Sequence, residues 1–237
     1  MIRTYALLSY AAFLAVLLYI VGWVADTAVP KGIDDGRRLS TPSAVVIDLA
    51  LLGLFAIQHS VMARSSFKEW SRRLIPLAAE RATYVLTSSA AVALLAWLWV
   101  PLPQVVWSVD GTVPQVFVWV VYAAGWLIVV ASTFMIGHFD LFGLTQALRG
   151  DRYREQAFGT PGLYALVRHP IMTGFIVAFW AVPHMTAGHL LFAAASTVYI
   201  LAAVRLEERD LRAHLGDDYV DYATRVPRFV PAARRQA

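Results

Sequence analysis

Long runs of apolar residues set the main constraint on how this chain can fold. They cover residues 5–24, 41–63, 82–100 and 115–136, and charged side chains are almost absent from them. A helix crosses the roughly 30 Å hydrocarbon core of a bilayer with about 20 residues, so each run is long enough to span a membrane. Because 59% of the residues are hydrophobic and only 15% are charged, an ordinary soluble domain is excluded.

Two further apolar runs, residues 171–182 and 190–204, are separated by Pro183 and a short polar turn. Each is short for a full crossing, and together they predict a helical hairpin whose ends return to one membrane face. The expected fold is all-α, a polytopic transmembrane bundle of five to six helices. We expect one membrane domain over residues 1–237, with four spans in residues 1–136 and the hairpin and a cytosolic tail in residues 137–237.

The distribution of basic residues predicts the orientation in the membrane. Residues 64–81, 138–169 and the tail from 205 onward are rich in arginine, whereas residues 101–114 contain neither lysine nor arginine. Basic loops stay in the cytoplasm, so both termini are expected to be cytoplasmic, with the lipid bilayer as the main partner. Membrane orientation accounts for the net charge of +4, and we expect no binding to nucleic acid.

Several kinds of chemistry are excluded or disfavoured by what the sequence lacks. Cysteine is absent, which excludes disulfides, thiolate metal sites and a cysteine nucleophile. No HExxH motif occurs, and His184 and His189 have no acidic partner nearby, so no metal site is expected. Nothing matches a P-loop or the glycine-rich turn of a Rossmann fold. The sequence does not define an oligomeric state.

Polar residues are concentrated at span ends on the predicted cytoplasmic side. The groups are Gln58 to Ser60, His138 to Gln146, and Arg168 to Gly174 together with Glu207 and Glu208. His138 and Asp140 are close enough in sequence for the carboxylate to orient the imidazole, an arrangement that suits a general base, although local helix capping is an equal alternative. His59 is a second candidate base, but a structural hydrogen bond is the more frequent role of such a histidine.

Arg168 and His169 precede Pro170, which fits the first position of a helix because it has no N–H to lose. The positive end of that helix would attract an anionic group such as a carboxylate, whereas an isolated arginine here would only anchor the segment at the membrane surface. Glu208 could instead form a surface pair with Arg212, four residues later. Gly216 predicts a helix end, followed by a short extended tail.

These residues resemble the isoprenylcysteine carboxyl methyltransferase-like superfamily of integral membrane methyltransferases. The resemblance covers about the last 75 residues, and one departure is Met172, where prenylcysteine enzymes usually carry tyrosine. The matching residues are Arg168-His169-Pro170, Gly174, Glu207-Glu208, Gly216, Tyr219, Tyr222, Val226-Pro227 and Phe229-Val230-Pro231.

The N-terminal two thirds are similar to a narrower branch that includes NnrU-like proteins, nurim and the bacterial methanethiol S-methyltransferases, and most similar to the last of these. The resemblance rests on residues 58–64, 80–85 and 138–146. It implies a protein of the bacterial cytoplasmic membrane that transfers a methyl group from S-adenosylmethionine to a small apolar thiol, giving dimethyl sulfide. A larger thiol or a prenylcysteine carboxylate as acceptor, or a nurim-like protein without enzymatic activity, are the alternatives.

The resemblance also implies a cofactor site in the C-terminal region. Arg168 and His169, with Pro170 and Gly174, would bind the methionine carboxylate, and Glu207 and Glu208 would bind the amino group or the ribose. His138, oriented by Asp140, would be the base, with His59 as its substitute. Phe139, Phe142 and Trp180 are expected to line the acceptor pocket.

Overall fold

The computed structural model describes residues 1–154 and 158–231, and within these ranges the chain is mainly helical. The α-helices are α1 (Ile2–Val24), α2 (Thr41–Ala63), α3 (Ser65–Ser71), α4 (Leu77–Leu98), α5 (Thr112–Met135), α6 (His138–Leu141), α7 (Leu144–Arg149), α8 (Pro170–Trp180), α9 (Ala187–Leu215) and α10 (Asp217–Arg225). Two short strands, β1 (Val105–Ser108) and β2 (His184–Thr186), pair antiparallel.

Within residues 1–154 and 158–231, five helices are long and apolar enough to cross a membrane: α1, α2, α4, α5 and α9. This confirms the predicted polytopic bundle of five to six helices. The shorter helix α8 has 11 residues and is about 16 Å long, too short to cross a bilayer. The prediction that both arms of the C-terminal hairpin are short was wrong for the second arm, because α9 continues through the charged residues after 204 and reaches 29 residues.

The predicted helix boundaries hold to within five residues, with one correction near the C-terminus. Helix α2 begins at residue 41, where the apolar run starts, and its N-cap is Ser40, whose hydroxyl accepts a hydrogen bond from the backbone N–H of Ser43. Pro170 begins α8 as predicted. Gly216, with φ of 56°, ends α9 as predicted, but the following residues form helix α10 rather than an extended tail, so that Tyr219 and Tyr222 are buried on one helix face.

The described residues divide into two compact units, each built from segments that are distant in sequence. The first unit comprises residues 1–108, 137–154 and 184–195, and the second comprises residues 109–136, 158–183 and 196–231. In the first unit, α4 packs against α1, α2 and α7. Small buried residues such as Ala6 and Ala82 allow this close packing of helices.

A cluster of three aromatic side chains and a lysine at a helix C-terminus stabilise one end of the first unit. The rings of Trp23, Trp99 and Phe192 meet edge to face, with centroids 5.2–5.9 Å apart. Lys31 Nζ donates hydrogen bonds to the carbonyl groups of Ala96, Trp97 and Trp99. These are among the last carbonyls of α4, which have no partner within the helix, so the ammonium group stabilises this helix end.

In the second unit, α5 packs on α8 at a contact between two glycines. A Cβ atom added to Gly174 would lie 2.6 Å from the carbonyl oxygen of Gly125, and one added to Gly125 would lie 2.7 Å from the backbone nitrogen of Ala178. The two backbones are therefore in direct contact, a common arrangement between membrane helices. The contact gives Gly174 a packing role, and its predicted role in cofactor binding stays a prediction.

Replacing Gly174 by alanine is expected to lower the free energy of unfolding by about 1–3 kcal/mol, because its methyl group would have to separate two backbones. Thermal unfolding in detergent measures the effect. Gly53→Ala is the matched control, since an added Cβ at this helical glycine meets nothing within 4 Å. Equal unfolding midpoints for the two variants would contradict the proposed close contact.

Candidate active site

The carboxylate of Glu208 is the centre of a charged cluster in the second unit. Glu208 is fully buried in α9, and Arg168 and Arg228 bind its two oxygens from opposite ends of the C-terminal region. Nη2 of Arg168 lies 2.8 Å from Oε1, and Nη2 of Arg228 lies 2.7 Å from Oε2. Arg212 approaches Oε2 at 3.5 Å from the next helical turn. The predicted pair between Glu208 and Arg212 is thus present, but the carboxylate is not on the surface.

Arg168 joins this cluster to the C-terminal segment. Its Nε donates to Glu208, and its Nη1 donates to the carbonyl oxygens of Ala223 and Val226 at 2.7 and 2.5 Å. The backbone N–H of Arg168 also donates to the carbonyl of Pro227. Each nitrogen of the guanidinium group therefore binds a protein group. The geometry favours a structural role for Arg168 over the predicted contact with a cofactor carboxylate.

His169 lies between the two glutamates. Its Nε2 is 3.3 Å from Glu208 Oε1, and its Nδ1 is 3.6 Å from Glu207 Oε2. Burial lowers the pKa of His169, and the hydrogen bond with Glu208 only partly opposes this effect, so the imidazole is neutral at neutral pH. The side chain of Glu207 is 53% exposed, whereas that of Glu208 is 0% exposed. Glu207 is therefore the member of the pair that a ligand can reach.

The hydroxyl group of Tyr219 is a second candidate ligand contact in this unit. Tyr219 is buried on α10 against the rings of Phe158 and Tyr222. Its Oη has no hydrogen-bond partner within residues 1–154 and 158–231. Burial, with a smaller contribution from Glu208, raises the pKa of Tyr219, so the phenol keeps its proton and can donate it. A buried donor without a partner is costly unless a ligand or water satisfies it.

His138, in the first unit, lies at the start of α6 in aromatic surroundings. Nε2 of His138 is 2.7 Å from the hydroxyl oxygen of Tyr10, which comes from α1. The rings of Phe139 and Phe142 meet the imidazole nearly edge to face, at 5.3 and 4.8 Å. Burial lowers the pKa of His138, which keeps the imidazole neutral and able to accept a proton at neutral pH.

Asp140 is buried two residues later, and its partners differ from the predicted one. Nη1 of Arg81 and the hydroxyl of Tyr153 each lie 3.2 Å from its Oδ2. Its Oδ1 is buried and has no hydrogen bond to any residue that the structure describes. The carboxylate of Asp140 is thus hydrogen-bonded to Arg81 and Tyr153, whereas Tyr10 contacts the imidazole of His138. The role of Asp140 in orienting that imidazole stays a prediction.

His59 is engaged through both ring nitrogens. Its Nε2 lies 2.8 Å from Tyr84 Oη, its Nδ1 lies 3.3 Å from Ser88 Oγ, and its ring packs on Phe55. Tyr84 and Ser88 both belong to α4, so these contacts join α2 to α4. They favour the structural alternative for His59 over a catalytic role.

The predicted site residues therefore fall into two groups. Arg168, His169, Glu207 and Glu208 come together in the second unit, as predicted from the sequence, while His59, His138 and Asp140 belong to the first. Sequence reasoning missed Arg228 and Tyr10. Arg228 was one of many arginines in a basic tail, and Tyr10 is a single phenol in an apolar span, so neither carried a local signal.

Among the residues that the structure describes, no group of three or more histidine, aspartate or glutamate side chains is placed to hold a metal ion.

Comparison with known proteins places the chain in a family. The family described as NnrU protein matches residues 48–225. Methanethiol S-methyltransferase 2 of Bradyrhizobium diazoefficiens is 52% identical over 99% of this chain and 92% of its own length. Methanethiol S-methyltransferase of Mycobacterium tuberculosis is 50% identical over 98% of this chain and 96% of its own length.

A more distant relative, nurim of Bos taurus, is 30% identical over 71% of this chain and 68% of its own length. No solved structure matches the chain. Since the family match covers most of the residues, including both groups of candidate site residues, the chain belongs to the NnrU family.

Proposed function

We propose that the protein is a membrane methyltransferase that transfers a methyl group from S-adenosylmethionine to methanethiol, producing dimethyl sulfide and S-adenosylhomocysteine. The observation that carries the proposal is the similarity to relatives named methanethiol S-methyltransferase, which are 45–52% identical over nearly the whole chain. The matched regions cover 96–99% of the chain and therefore include both groups of candidate site residues. The five apolar helices support a reaction at the membrane with a small apolar acceptor.

The donor set of the second unit fits S-adenosylmethionine. Glu207 presents a half-exposed carboxylate that would bind the ammonium group, and the buried hydroxyl of Tyr219 would donate to an acceptor atom of the cofactor. When bound, the cofactor supplies a methyl group on a positively charged sulfur. His169 lies beside that carboxylate, with its Nδ1 3.6 Å from Oε2 of Glu207.

Glu208 and Arg168 support this site rather than contact the cofactor. A buried carboxylate is stable only when cations and hydrogen bonds compensate for the lost water, and Arg168, Arg228 and Arg212 supply this compensation. The ion pairs hold α9 against α8 and α10, which fixes the positions of Glu207 and Tyr219. The pair of glutamates thus has two roles, one in binding and one in structure.

His138 is the candidate base. The thiolate, and not the thiol, is the nucleophile in methyl transfer to sulfur, so a group must take up the thiol proton. A neutral imidazole in apolar surroundings can accept it, and the rings of Phe139 and Phe142 beside His138 provide apolar contacts for a methyl thioether.

The reaction is tested by measuring dimethyl sulfide in the headspace above purified protein in lipid nanodiscs, supplied with methanethiol and S-adenosylmethionine. We expect product only when both substrates and the protein are present. Product from a larger thiol or a prenylcysteine, but not from methanethiol, would replace the proposed acceptor. A failure to bind S-adenosylhomocysteine would favour the nurim-like alternative. The ground for that alternative is the 30% identity to nurim of Bos taurus.

Glu207→Gln and Glu208→Gln are expected to affect different properties, ligand binding in the first case and stability in the second. Glu207→Gln should weaken S-adenosylhomocysteine binding at least about tenfold and leave the unfolding midpoint unchanged, because its carboxylate is half exposed and can be reached by the ligand. Glu208→Gln should lower the free energy of unfolding by about 3–5 kcal/mol, because it leaves the buried guanidinium group of Arg168 without its counterion.

Calorimetric titration and thermal unfolding measure these two effects. A Glu208→Gln protein that unfolds like the wild type would contradict the structural role of Glu208. Tight ligand binding by Glu207→Gln would remove Glu207 from the cofactor site.

His138→Gln is expected to lower kcat about 10²–10⁴-fold, the usual contribution of a general base, with little change in S-adenosylhomocysteine binding. His59→Gln should retain most of the activity, since both nitrogens of His59 have structural partners. A larger loss in His59→Gln than in His138→Gln would transfer the role of base to His59.

The lowered pKa of His138 also predicts the pH dependence of the wild type. Because burial lowers the pKa of His138 below its ordinary value of about 6.5, kcat/KM should reach half its maximum at a pH below about 6.5 and fall further at lower pH, where His138 becomes protonated. Initial rates of dimethyl sulfide formation between pH 5 and 8 test this, at about 0.5-unit intervals. A half-maximal point above about pH 6.5 would contradict the assignment of a buried, neutral imidazole as the base.

A further inference from the structure

The side chain of Tyr10 lies in hydrogen-bond contact with the candidate base, although nothing in the sequence singles it out. Its hydroxyl oxygen is 2.7 Å from Nε2 of His138, and the two rings meet edge to face at 5.7 Å. The residues are 128 positions apart, so the contact depends on the packing of α1 in the first unit. A charged pair, Arg81 with Asp140, and the phenol of Tyr153 lie next to the same short helix.

The contact limits how His138 can act. In a neutral imidazole one nitrogen carries a proton, and the other is the acceptor. A phenol is protonated at neutral pH and donates to Nε2 when the proton of the imidazole is on Nδ1; in the other tautomer it accepts from Nε2–H. In the Nδ1–H tautomer Tyr10 occupies the basic atom of His138, so a proton can reach that nitrogen through the hydroxyl oxygen of Tyr10.

Tyr10 also belongs to the aromatic surroundings of the base. Its ring is 6.2 Å from Phe13, 6.2 Å from Phe139 and 6.1 Å from Phe142. Phe13 and Phe142 stack with their centroids 4.0 Å apart. The hydroxyl of Tyr10 is thus a polar group within an apolar cluster. A small apolar thiol could pack against these rings with its S–H group next to the Tyr10 hydroxyl.

We propose that Tyr10 relays the proton of the acceptor thiol to His138. This inference rests on the proposed function. The S–H bond of the thiol breaks as its proton bonds to Oη of Tyr10, and the original phenolic proton moves to Nε2 of His138, which becomes an imidazolium.

The remaining steps balance the reaction. The thiolate keeps the electron pair of the S–H bond and uses it to form the new carbon–sulfur bond with the methyl group. The electron pair of the old carbon–sulfur bond stays on the donor sulfur, which becomes neutral. His138 then releases its proton to water, and Tyr10 ends as it began, a neutral phenol.

Tyr10→Phe tests the relay, because it removes one oxygen atom and keeps the ring contacts. We expect a loss in kcat of about 10²-fold with methanethiol, and S-adenosylhomocysteine binding and the unfolding midpoint close to those of the wild type. Tyr5→Phe is the matched control. Tyr5 lies on the same helix and also donates a hydrogen bond to α4, to Thr83 Oγ1 at 3.0 Å, so its loss should leave kcat within about threefold.

A second acceptor separates proton transfer from structure. Hydrogen sulfide is present largely as the hydrosulfide anion near about pH 8 and needs no base. The Tyr10→Phe protein should therefore methylate it at close to the wild-type rate. Equal losses with hydrosulfide and methanethiol would show a structural effect and overturn the relay. Wild-type kcat with methanethiol in Tyr10→Phe would overturn it as well, whereas a wild-type protein without any product would overturn the proposed function itself.

Two further measurements test the relay. Nitrogen-15 NMR of labelled histidine, with His138→Gln used for assignment, should show Nε2 of His138 as a hydrogen-bonded acceptor in the wild type and a shifted signal in Tyr10→Phe. Tyr10→Gln keeps a donor towards Nε2 but cannot pass on a proton, so it should be as slow as Tyr10→Phe. Wild-type activity in Tyr10→Gln would show that a hydrogen bond alone suffices and would overturn the relay.

Discussion

The burial of one carboxylate determines how the second unit is built. Glu208 has lost all contact with solvent, and a charge in that position is tolerated only because arginine side chains surround it. These arginines come from three segments: Arg168 precedes α8, Arg212 lies on α9 itself, and Arg228 follows α10. The ion pairs therefore join the segments before α8 and after α10 to α9. The Arg168 contacts with the carbonyls of Ala223 and Val226 extend this constraint to the C-terminal segment.

The same constraint explains why the two adjacent glutamates differ. Consecutive residues on a helix point in directions about 100° apart, so only one of them can face the arginines. Glu208 does so, and Glu207 is left half exposed beside His169. A sequence containing two neighbouring acidic residues thus yields one structural and one accessible carboxylate. This difference carries the proposed assignment of Glu207 to the cofactor and of Glu208 to the support of the site.

Much of the fold could be predicted because the membrane imposes a simple rule on sequence. Apolar runs gave the first four spans, and Pro170 gave the start of α8, since both are local features. The length of α9 could not be read in this way, because its charged second half does not look like a span and is held by ion pairs with distant residues. The β1–β2 pair and the helix α10 likewise depend on contacts that are remote in sequence.

The site shows the same division. The meeting of Arg168, His169, Glu207 and Glu208 was predictable from a motif, whereas the partners of His138 and Asp140 were not. Sequence proximity suggested that Asp140 orients His138; the structure in addition places Arg81 and Tyr153 at the carboxylate and Tyr10 at the imidazole. A tyrosine 128 positions away becomes a neighbour only through packing, which no local pattern reports.

The most direct test of this account is an experimental structure of the protein with S-adenosylhomocysteine bound. The account predicts that the ligand contacts the Glu207 carboxylate and the Tyr219 hydroxyl, while Glu208 keeps its ion pairs with Arg168 and Arg228. A ligand bound directly by Glu208 or Arg168, with those ion pairs broken, would contradict the division between a binding and a structural glutamate.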